Sequence, residues 1–320
     1  MGIKMLNQFL RNTCDGNINI INLSSLAGKT IVIDTSIYLY RYISEGNLIE
    51  NFYYMISLFK HNNIRPIFIF DGKPKEIKKH VIEQRNTHKI KAEEEYNKLI
   101  DTLSNKKLTY IDKIRIEEEI FKIKRRMIRV RWEHIDSVKC LMDAYGINYI
   151  VAPHEADELC VRLVVSGVAY GCMSEDMDMF AYGCPIVLRY LSLINSTVVI
   201  YDLNKLLNLL EMNLTDFKYL CILSGTDYNN NMTNIYVYYK LYLKYKKQRV
   251  KIPYLEYIID SSSDKLDIEN IVKLYYMFDI YNRSYNYLSI YDDYKYVDKE
   301  LDMCKLNDIL KGESFIFLDN

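Results

Sequence analysis

The chain has 320 residues, enough to bury a large core as one big domain or two smaller ones. Its 42 basic and 42 acidic side chains give a formal net charge of zero, which argues neither for nor against a polyanionic partner. The 7 cysteines include no Cys-x-x-Cys pair, and no stretch is typical of a membrane span or a secretory signal. These features argue against a disulfide scaffold, a structural zinc site and a membrane protein, and favour a reducing intracellular setting.

Two predicted strands end on carboxylates. Residues 31–33 are consecutive β-branched apolar side chains, the pattern of a strand buried on both faces, and Asp34 follows them. Residues 65–70 repeat the pattern before Asp71. Apolar periodicity and turn residues predict the other elements, in chain order: a helix at 4–12 and a polar loop through Asn22, helical spacing at 36–62, long charged helices within 76–131, a helix at 132–145, a strand at 147–151, a helix at 155–166, a strand at 168–173, a hairpin within 186–201, and helices at 203–211, 214–224, 235–247 and 265–280.

This alternation predicts an α/β fold with a mostly parallel central sheet and helices on both faces. The charged block at 76–131 separates two strands, so we expect a helical arch that projects over the sheet edge. We divide the chain into a core at 1–228, which includes the arch, and a helical region at 229–320. The tail after Tyr291 is acidic, and we expect it to be loosely held.

Seven carboxylates lie at the ends of these predicted elements: Asp34, Asp71, Glu155, Asp157, Asp176, Asp178 and Asp227. The carboxyl ends of parallel strands meet at one sheet edge, so we expect a single acidic crevice. Gathered carboxylates repel one another unless cations neutralise them, and oxygen ligands select Mg²⁺ or Mn²⁺. Two such ions about 4 Å apart are the usual means of cutting a phosphodiester bond. For any one acid taken alone, the competing interpretation is a helix cap or a turn, which Asp favours.

Six short motifs carry the acids in order: Met1-Gly2-Ile3, Val32-Ile-Asp34-Thr-Ser36, Phe70-Asp71-Gly-Lys-Pro74, Ala152-Pro-His-Glu155-Ala-Asp157, Ser174-Glu-Asp176-Met-Asp178 and Leu223-Ser-Gly-Thr-Asp227-Tyr228. In these motifs, over residues 1–230, the chain resembles the flap structure-specific endonuclease family, the divalent-metal 5′-nucleases. The resemblance implies a PIN-like 5′-nuclease fold in which the seven acids bind two Mg²⁺ ions, with Mn²⁺ as a substitute. Asp157 stands where the family usually has Glu, and its shorter reach would shift one metal or admit a water.

The resemblance also assigns basic and aromatic residues. Lys78 and Arg85 are two helical turns apart on one face, and by the resemblance they contact the scissile phosphate. Tyr40 is implied to stack on a base, and Gly2 to lie near the metals. The basic stretch that ends the arch is expected to bind phosphates through Arg125, Arg126 and Arg129.

The competing interpretation of these residues is structural. Lys78 and Arg85 can equally be surface cations, and with 30 tyrosines in the chain Tyr40 can be a core or surface residue. Two further acids, Glu158 and Glu175, are interpreted as solvated or capping groups and left out of the site.

The C-terminal third departs from the family. Residues 229–239 contain no glycine, where family members have a glycine-bearing helix-hairpin-helix turn that binds duplex backbone, often through K⁺. We therefore predict an altered or weakened duplex anchor, do not include K⁺ as a cofactor, and expect side-chain charge to replace it. The replacement cations are Lys240, Lys244, Lys246, Lys247, Arg249 and Lys251. No sliding-clamp peptide is recognised.

The sequence thus predicts a Mg²⁺-dependent structure-specific 5′ nuclease, acting as a monomer on branched or junction DNA in the nucleus or a viral replication compartment. The nearest alternative is a 5′→3′ exonuclease on DNA or RNA. The alternative from another class is a non-catalytic nucleic-acid-binding scaffold on the same fold. A generic α/β phosphatase is less favoured because the arch has no role in it.

Overall fold

The structure is a computed structural model that describes residues 2–75, 78–104, 109–229, 234–248, 251–262 and 266–313. Its internal contacts group the chain into two units. The sheet unit comprises Met1–Thr35, Met55–Lys73 and Ile147–Lys299, and the helical unit comprises Ser36–Tyr54, Pro74–Gly146 and Glu300–Asn320. Each unit is described by itself.

The sheet unit is built on one mixed sheet. Its described strands are β1 (Asn19–Asn22), β2 (Thr30–Asp34), β3 (Arg65–Phe70), β4 (Asn148–Val151), β5 (Gly171–Met173), β6 (Ile186–Ser192) and β7 (Thr197–Asp202). Their order across the sheet is β1-β7-β6-β5-β2-β3-β4. Strands β6, β5, β2, β3 and β4 run parallel to one another. Strand β7 pairs antiparallel with both β6 and β1. The predicted mostly parallel α/β sheet is confirmed, and Ile31, Val32 and Ile33 of β2 are fully buried, as expected for a central parallel strand.

Helices account for most of the remaining described residues. In chain order they are α1 (Leu6–Thr13), α2 (Thr35–Glu45), α3 (Leu48–His61), α4 (Lys79–Leu103), α5 (Tyr110–Arg126), α6 (Trp132–Tyr145), α7 (Ala156–Val165), α8 (Asp178–Ala181), α9 (Leu203–Leu209), α10 (Leu214–Leu223), α11 (Ile235–Gln248), α12 (Tyr254–Ser261), α13 (Ile268–Met277) and α14 (Met303–Gly312). Two 3-10 helices, Leu23–Leu26 and Arg283–Tyr291, lie in the sheet unit. No helix in the described part of the chain combines the length and the apolar run needed to cross a bilayer.

Helices α4 and α5 form an antiparallel hairpin in the helical unit. Ala92 of α4 and Ile120 and Ile123 of α5 are buried, while the outer faces carry charge. Arg126 at the end of α5 pairs with Glu95 of α4, and Arg129, three residues after α5, pairs with Glu93 of α4, each at 2.9 Å. These are the long charged helices predicted for the arch; residues 76, 77 and 105–108 of the predicted arch lie outside the described part.

The helical spacing predicted at 36–62 is confirmed and forms two helices, because Gly46 between them adopts a φ of +79° that ends α2. Two other local predictions were wrong. The polar loop expected through Asn22 ends in strand β1, whose four mostly exposed residues carry too little alternation to signal a strand. The strand expected at 168–173 is only Gly171–Met173, because the preceding residues close the turn after α7, where Ala169 N donates to Leu163 O (2.9 Å).

The acidic tail is attached to the fold over its described length, contrary to expectation. In the sheet unit, the buried amide of Asn148 donates to Val297 O (2.6 Å) and accepts from the Tyr294 hydroxyl (3.2 Å). In the helical unit, α14 buries Leu306 and Leu310, spaced one turn apart. Residues 314–320 lie outside the described part. The division of function at 228/229 stays a prediction, since the two units are interleaved along the chain.

Candidate active site

The carboxyl ends of three neighbouring parallel strands bring the first acids to one edge of the sheet. Asp34 is the last residue of β2, and Asp71 directly follows β3, its neighbour on one side. Asp176 follows β5, its neighbour on the other side, by three residues. All seven predicted acids belong to the sheet unit. Topology alone therefore gathers side chains that are far apart in sequence.

A chain of hydrogen bonds links three buried acids. The Ser174 hydroxyl donates to Asp34 Oδ2 (2.9 Å) and accepts from the backbone N–H of Asp176 (3.1 Å). The backbone N–H of Asp178 donates to Asp176 Oδ1 (3.0 Å). Asp34, Asp176 and Asp178 are only 4, 8 and 3% exposed. Three carboxylates are therefore held close together in a region of low dielectric, where they need positive charge nearby.

Gly2 lies against two of these acids. A Cβ atom at this position would come within 2.3 Å of Asp176 Oδ1, 2.7 Å of Asp178 Oδ1 and 2.9 Å of the Asp178 nitrogen. Its φ of +78° is also one that side-chain-bearing residues rarely adopt. The predicted proximity of Gly2 to the acidic cluster is thus a feature of the structure, and no other residue type fits there.

The next acids gather at the first turn of α7. Glu155 is the N-cap residue of this helix and Asp157 lies in its first turn. The Ala156 N–H donates to Asp71 Oδ1 (2.8 Å), which draws the acid after β3 to the same helix end. The Tyr228 hydroxyl donates to Glu155 Oε2 (3.5 Å). The partial positive charge of a helix N-terminus favours carboxylates at this position.

Two buried thiols feel the negative charge of the acids. Burial raises the pKa of Cys160 to about 11, the neighbouring Cys172 lowers it, and Asp34 and Asp157 raise it further. Burial also raises the pKa of Cys221, with Asp178 adding to the effect. Helix α7 packs on β2, so the acid that ends β2 and the acids at the start of α7 belong to adjacent elements.

Asp227 occupies a tight turn after α10. Asn229 closes this turn, its side-chain oxygen accepting from the Thr226 N–H (2.8 Å) and its amide donating to Ile222 O (2.8 Å). The structure therefore fixes the backbone at Asp227, and its side chain is half-buried.

The donor set fits a hard divalent cation, since every candidate ligand is a carboxylate and Gly2 leaves room beside two of them. Within the described ranges, however, no three His, Cys, Asp or Glu side chains are close enough to one point to hold an ion. The assignment of the seven acids as metal ligands accordingly stays a prediction.

The helical unit holds the predicted base-stacking and phosphate-binding residues. The Lys89 ammonium lies 5.3 Å from the centre of the exposed Tyr40 ring. Burial lowers the pKa of Lys89, and the positive charges of Arg129 and Arg85 lower it further, so these three cations lie close together. Lys89 was not among the predicted site residues, although it follows Arg85 by one helical turn on α4. Lys78 is the N-cap residue of α4.

The three arginines predicted to bind phosphate differ from one another. Arg126 and Arg129 are paired with glutamates across the α4–α5 hairpin, so they also join the two helices. Arg125 is exposed on α5.

Two acids interpreted as solvated or capping groups have other roles. Glu158 is only 1% exposed, and the hydroxyls of Tyr182 and Tyr287 donate to its two oxygens (3.3 and 2.8 Å). Glu175 binds the next strand, its Oε1 accepting from the Tyr190 N–H (2.5 Å), and Arg189 donates to its backbone oxygen (2.8 Å). No sequence pattern signals the contacts of Glu158, because its partners lie 24 and 129 positions away.

Comparison with known proteins agrees with this geometry. The XPG N-terminal domain matches residues 1–92 and the XPG I-region matches residues 146–227, together more than half of the chain. Mouse Flap endonuclease 1 is 28% identical over 253 residues, which cover 73% of this chain and 63% of the mouse protein. The match thus spans less than two thirds of that relative's length.

Solved structures share the fold. The catalytic core of Rad2 in complex with DNA substrate has a TM-score of 0.68 at 19% identity, covering 97% of this chain and 95% of that one. The Holliday junction-resolving enzyme GEN1 in complex with product DNA, Mg²⁺ and Mn²⁺ has a TM-score of 0.60 at 14% identity, covering 97 and 72%. The mostly parallel sheet and its flanking helices thus have the 5′-nuclease fold of these structures. The chain belongs to the flap structure-specific 5′-nuclease family.

Proposed function

We propose that this protein is a structure-specific 5′ nuclease that hydrolyses phosphodiester bonds of branched, 5′-flap DNA in replication, repair or recombination. The observation that carries the proposal is the row of buried acids at one sheet edge, connected through Ser174 and lying against Gly2. Membership of the family supports it, as does the name of the mouse relative.

The metal ligands in this proposal are the seven acids of the sheet unit. They would hold two Mg²⁺ ions, for which Mn²⁺ can substitute, and the GEN1 structure with both ions supports this choice. The bound ions would supply Lewis acidity, activating water and offsetting charge on the phosphate. The ligands are Asp34, Asp71, Glu155, Asp157, Asp176, Asp178 and Asp227.

Other side chains would neutralise charge, bind the substrate base and orient the acids. Lys78 and Arg85 would neutralise the negative charge that develops on the phosphoryl oxygens. Tyr40, with Lys89 over its ring, would stack on an unpaired base. Ser174 orients Asp34, and its contact with the Asp176 N–H fixes the loop that carries the next two acids.

DNA binding outside the reaction centre is assigned to two basic surfaces. Arg125 and Arg126 of α5, with Arg129 just after it, would bind the 5′ single strand without sequence preference. On α11, Lys240, Lys244 and Lys247 lie three and four residues apart on an exposed face, which suits a duplex backbone. Residues 230–233 of the altered hairpin turn, and Arg249, lie outside the described part. We place the protein inside the cell as a monomer, in the nucleus or a viral replication compartment.

The test is incubation of the protein with an end-labelled 5′-flap duplex in Mg²⁺, with EDTA as the reference. Asp176→Asn should slow cleavage by about a hundredfold or more, because a metal ligand matters at least as much as the groups that orient ligands. Flap binding should survive. Asp260→Asn, which changes an exposed carboxylate on α12, is the matched control and should cut normally.

Product length separates the proposal from its alternatives. Cleavage at the junction supports the flap nuclease, whereas stepwise release of mononucleotides from nicked or single-stranded substrates would show an exonuclease. If Asp176→Asn cuts at the wild-type rate, the ligand assignment is wrong. If wild-type protein binds DNA but neither cuts it nor binds Mn²⁺, the protein is a scaffold.

A further inference from the structure

Helix α7 is a rigid support for two of the candidate metal ligands. Glu155 caps it and Asp157 lies in its first turn. One side of α7 packs on β2, β3 and β5, burying Leu159, Cys160 and Leu163. A helix held on one side only can still slide or rotate along the sheet. What contacts its other side therefore decides how precisely the two acids are placed.

Residues 281–292, here called the strap, contact that other side. The strap contains the 3-10 helix Arg283–Tyr291, which packs against α7. At Glu158 of α7, the Tyr287 hydroxyl donates to Oε2 (2.8 Å). Oε1 accepts from the Tyr182 hydroxyl just after α8 (3.3 Å), and the Tyr285 hydroxyl of the strap, which also contacts Met277 O, lies 3.4 Å from it. A buried carboxylate that accepts tyrosine hydroxyls is a strong anchor, because leaving it without donors would be costly.

A second anchor lies one turn further along α7. The Arg162 guanidinium binds Asp292 at the end of the strap with two parallel hydrogen bonds, one of them 2.6 Å long. The same guanidinium lies 5.7 Å from the centre of the Tyr281 ring at the start of the strap. Glu158 and Arg162 are four residues apart, so both anchors hold one face of the helix. Bidentate pairing fixes orientation as well as distance.

The strap also contacts residues next to the acids. The Tyr287 ring packs edge-on against His154, with ring centres 5.2 Å apart. His154 directly precedes Glu155, and Glu158 directly follows Asp157. Tyr287 thus bridges the two flanks of the acidic turn.

We infer that the strap is a positioning element of the reaction centre, in which Tyr287 and Asp292 lock α7 against the sheet so that Glu155 and Asp157 keep their places as metal ligands. This inference rests on the proposed function and assigns the strap a role other than DNA contact. Its Tyr287 hydroxyl is bonded to Glu158 and its Asp292 carboxylate to Arg162. Glu158 and Tyr287 are positioning residues that act through their neighbours.

The test variant is Tyr287→Phe, which removes one hydroxyl and keeps the ring against His154. Mn²⁺ binding to the DNA-free protein, followed by electron paramagnetic resonance, should weaken by about tenfold, the lower end of losses seen when a residue that orients a ligand is removed. In cleavage of a 5′-flap duplex, kcat should fall while KM for DNA stays unchanged. Tyr281→Phe, in the same strap, is the control, because its hydroxyl makes no hydrogen bond to any described residue.

A second pair of variants separates positioning from folding. Glu158→Gln keeps an acceptor for Tyr287 and should retain Mn²⁺ affinity, whereas Glu158→Ala should lose it to the same extent as Tyr287→Phe. Wild-type Mn²⁺ affinity in Tyr287→Phe would overturn the inference, and so would a rise in KM for DNA with kcat unchanged. Failure of the wild-type protein itself to bind Mn²⁺ contradicts the proposed function and the strap with it.

Discussion

The position of Gly2 tolerates no side chain. Its backbone adopts a left-handed φ, and a Cβ atom there would overlap Asp176, Asp178 and the backbone between them. The structure also offers a matched reference, Gly16, which has a φ of +81° and open space within 4 Å of the position that a Cβ atom would take. Both glycines therefore have a left-handed φ, but only Gly2 has atoms close to the position of a Cβ.

We predict that Gly2→Ala lowers both Mn²⁺ affinity and the cleavage rate by at least about tenfold, because the methyl group displaces acids that orient the metals. Gly16→Ala should cost about 1–2 kcal/mol of stability from the left-handed φ alone and leave cleavage unchanged. Isothermal titration with Mn²⁺ and a flap-cleavage assay measure both. Equal effects from the two substitutions would show that backbone strain, and not the contact with the acids, is responsible.

At the residue scale, the positions of the acids were predictable from the sequence, whereas the hydrogen bonds of neighbouring Glu158 were not. Asp34, Asp71 and Asp176 follow strands whose parallel pairing can be inferred from apolar runs, so their common edge follows from the sequence. Glu158 was misinterpreted because its hydroxyl donors include residues more than 100 positions later. Periodicity carries no information about such distant polar pairs.

At the scale of elements, charged side chains of the α4–α5 hairpin form ion pairs within the hairpin. Its ends carry the arginines predicted to bind phosphate, yet Arg126 and Arg129 are already paired with Glu95 and Glu93. Exposed pairs of this kind contribute at most about 1 kcal/mol each, so DNA can compete for them. Arg125 lies on the same helix in an exposed position.

We predict that Arg125→Ala lowers the slope of log affinity against log salt for flap DNA by about one, the loss of one phosphate contact. Arg126→Ala should lower it by less, since Glu95 already neutralises that charge. Fluorescence anisotropy across a salt series, in Ca²⁺ to prevent cleavage, gives both slopes. A larger effect at Arg126 than at Arg125 would contradict this ranking.

The hairpin itself was predictable from its long charged helices, whereas the shortest elements were not. Strand β1 has four mostly exposed residues and is defined by pairing with β7, a contact between residues about 180 positions apart. Helix α12 was not anticipated either, and it buries Tyr254, Tyr257 and Ile258. In both cases tertiary packing, and not local pattern, determines the element.

At the scale of the whole molecule, several tyrosines are buried within a mainly aliphatic core. Burial raises the pKa above the ordinary value at buried tyrosines that include Tyr42, Tyr182, Tyr201, Tyr242, Tyr254 and Tyr285, and also at half-buried Tyr287. The native state therefore keeps these protons at a pH where the unfolded chain loses them. Buried Lys218, whose pKa is lowered by burial, opposes this trend.

We predict that the free energy of unfolding is steady near neutral pH and falls increasingly steeply above pH about 10, where tyrosines of the unfolded chain ionise. The sign follows because the unfolded state then binds fewer protons than the native state. Urea unfolding at several pH values, with tyrosinate absorbance recorded in parallel, tests this. Unchanged or rising stability between about pH 10 and 11 would show that these hydroxyls are not buried.

The central claim is that the acids at the carboxyl edge of β2, β3 and β5 together hold two divalent ions. Anomalous diffraction at the manganese edge, from crystals grown with Mn²⁺, locates such ions directly. We predict two peaks at this edge of the sheet, one bordered by Asp34, Asp176 and Asp178 and the other by Asp71, Glu155 and Asp157. Saturating Mn²⁺ with no anomalous peak beside these acids would contradict the account.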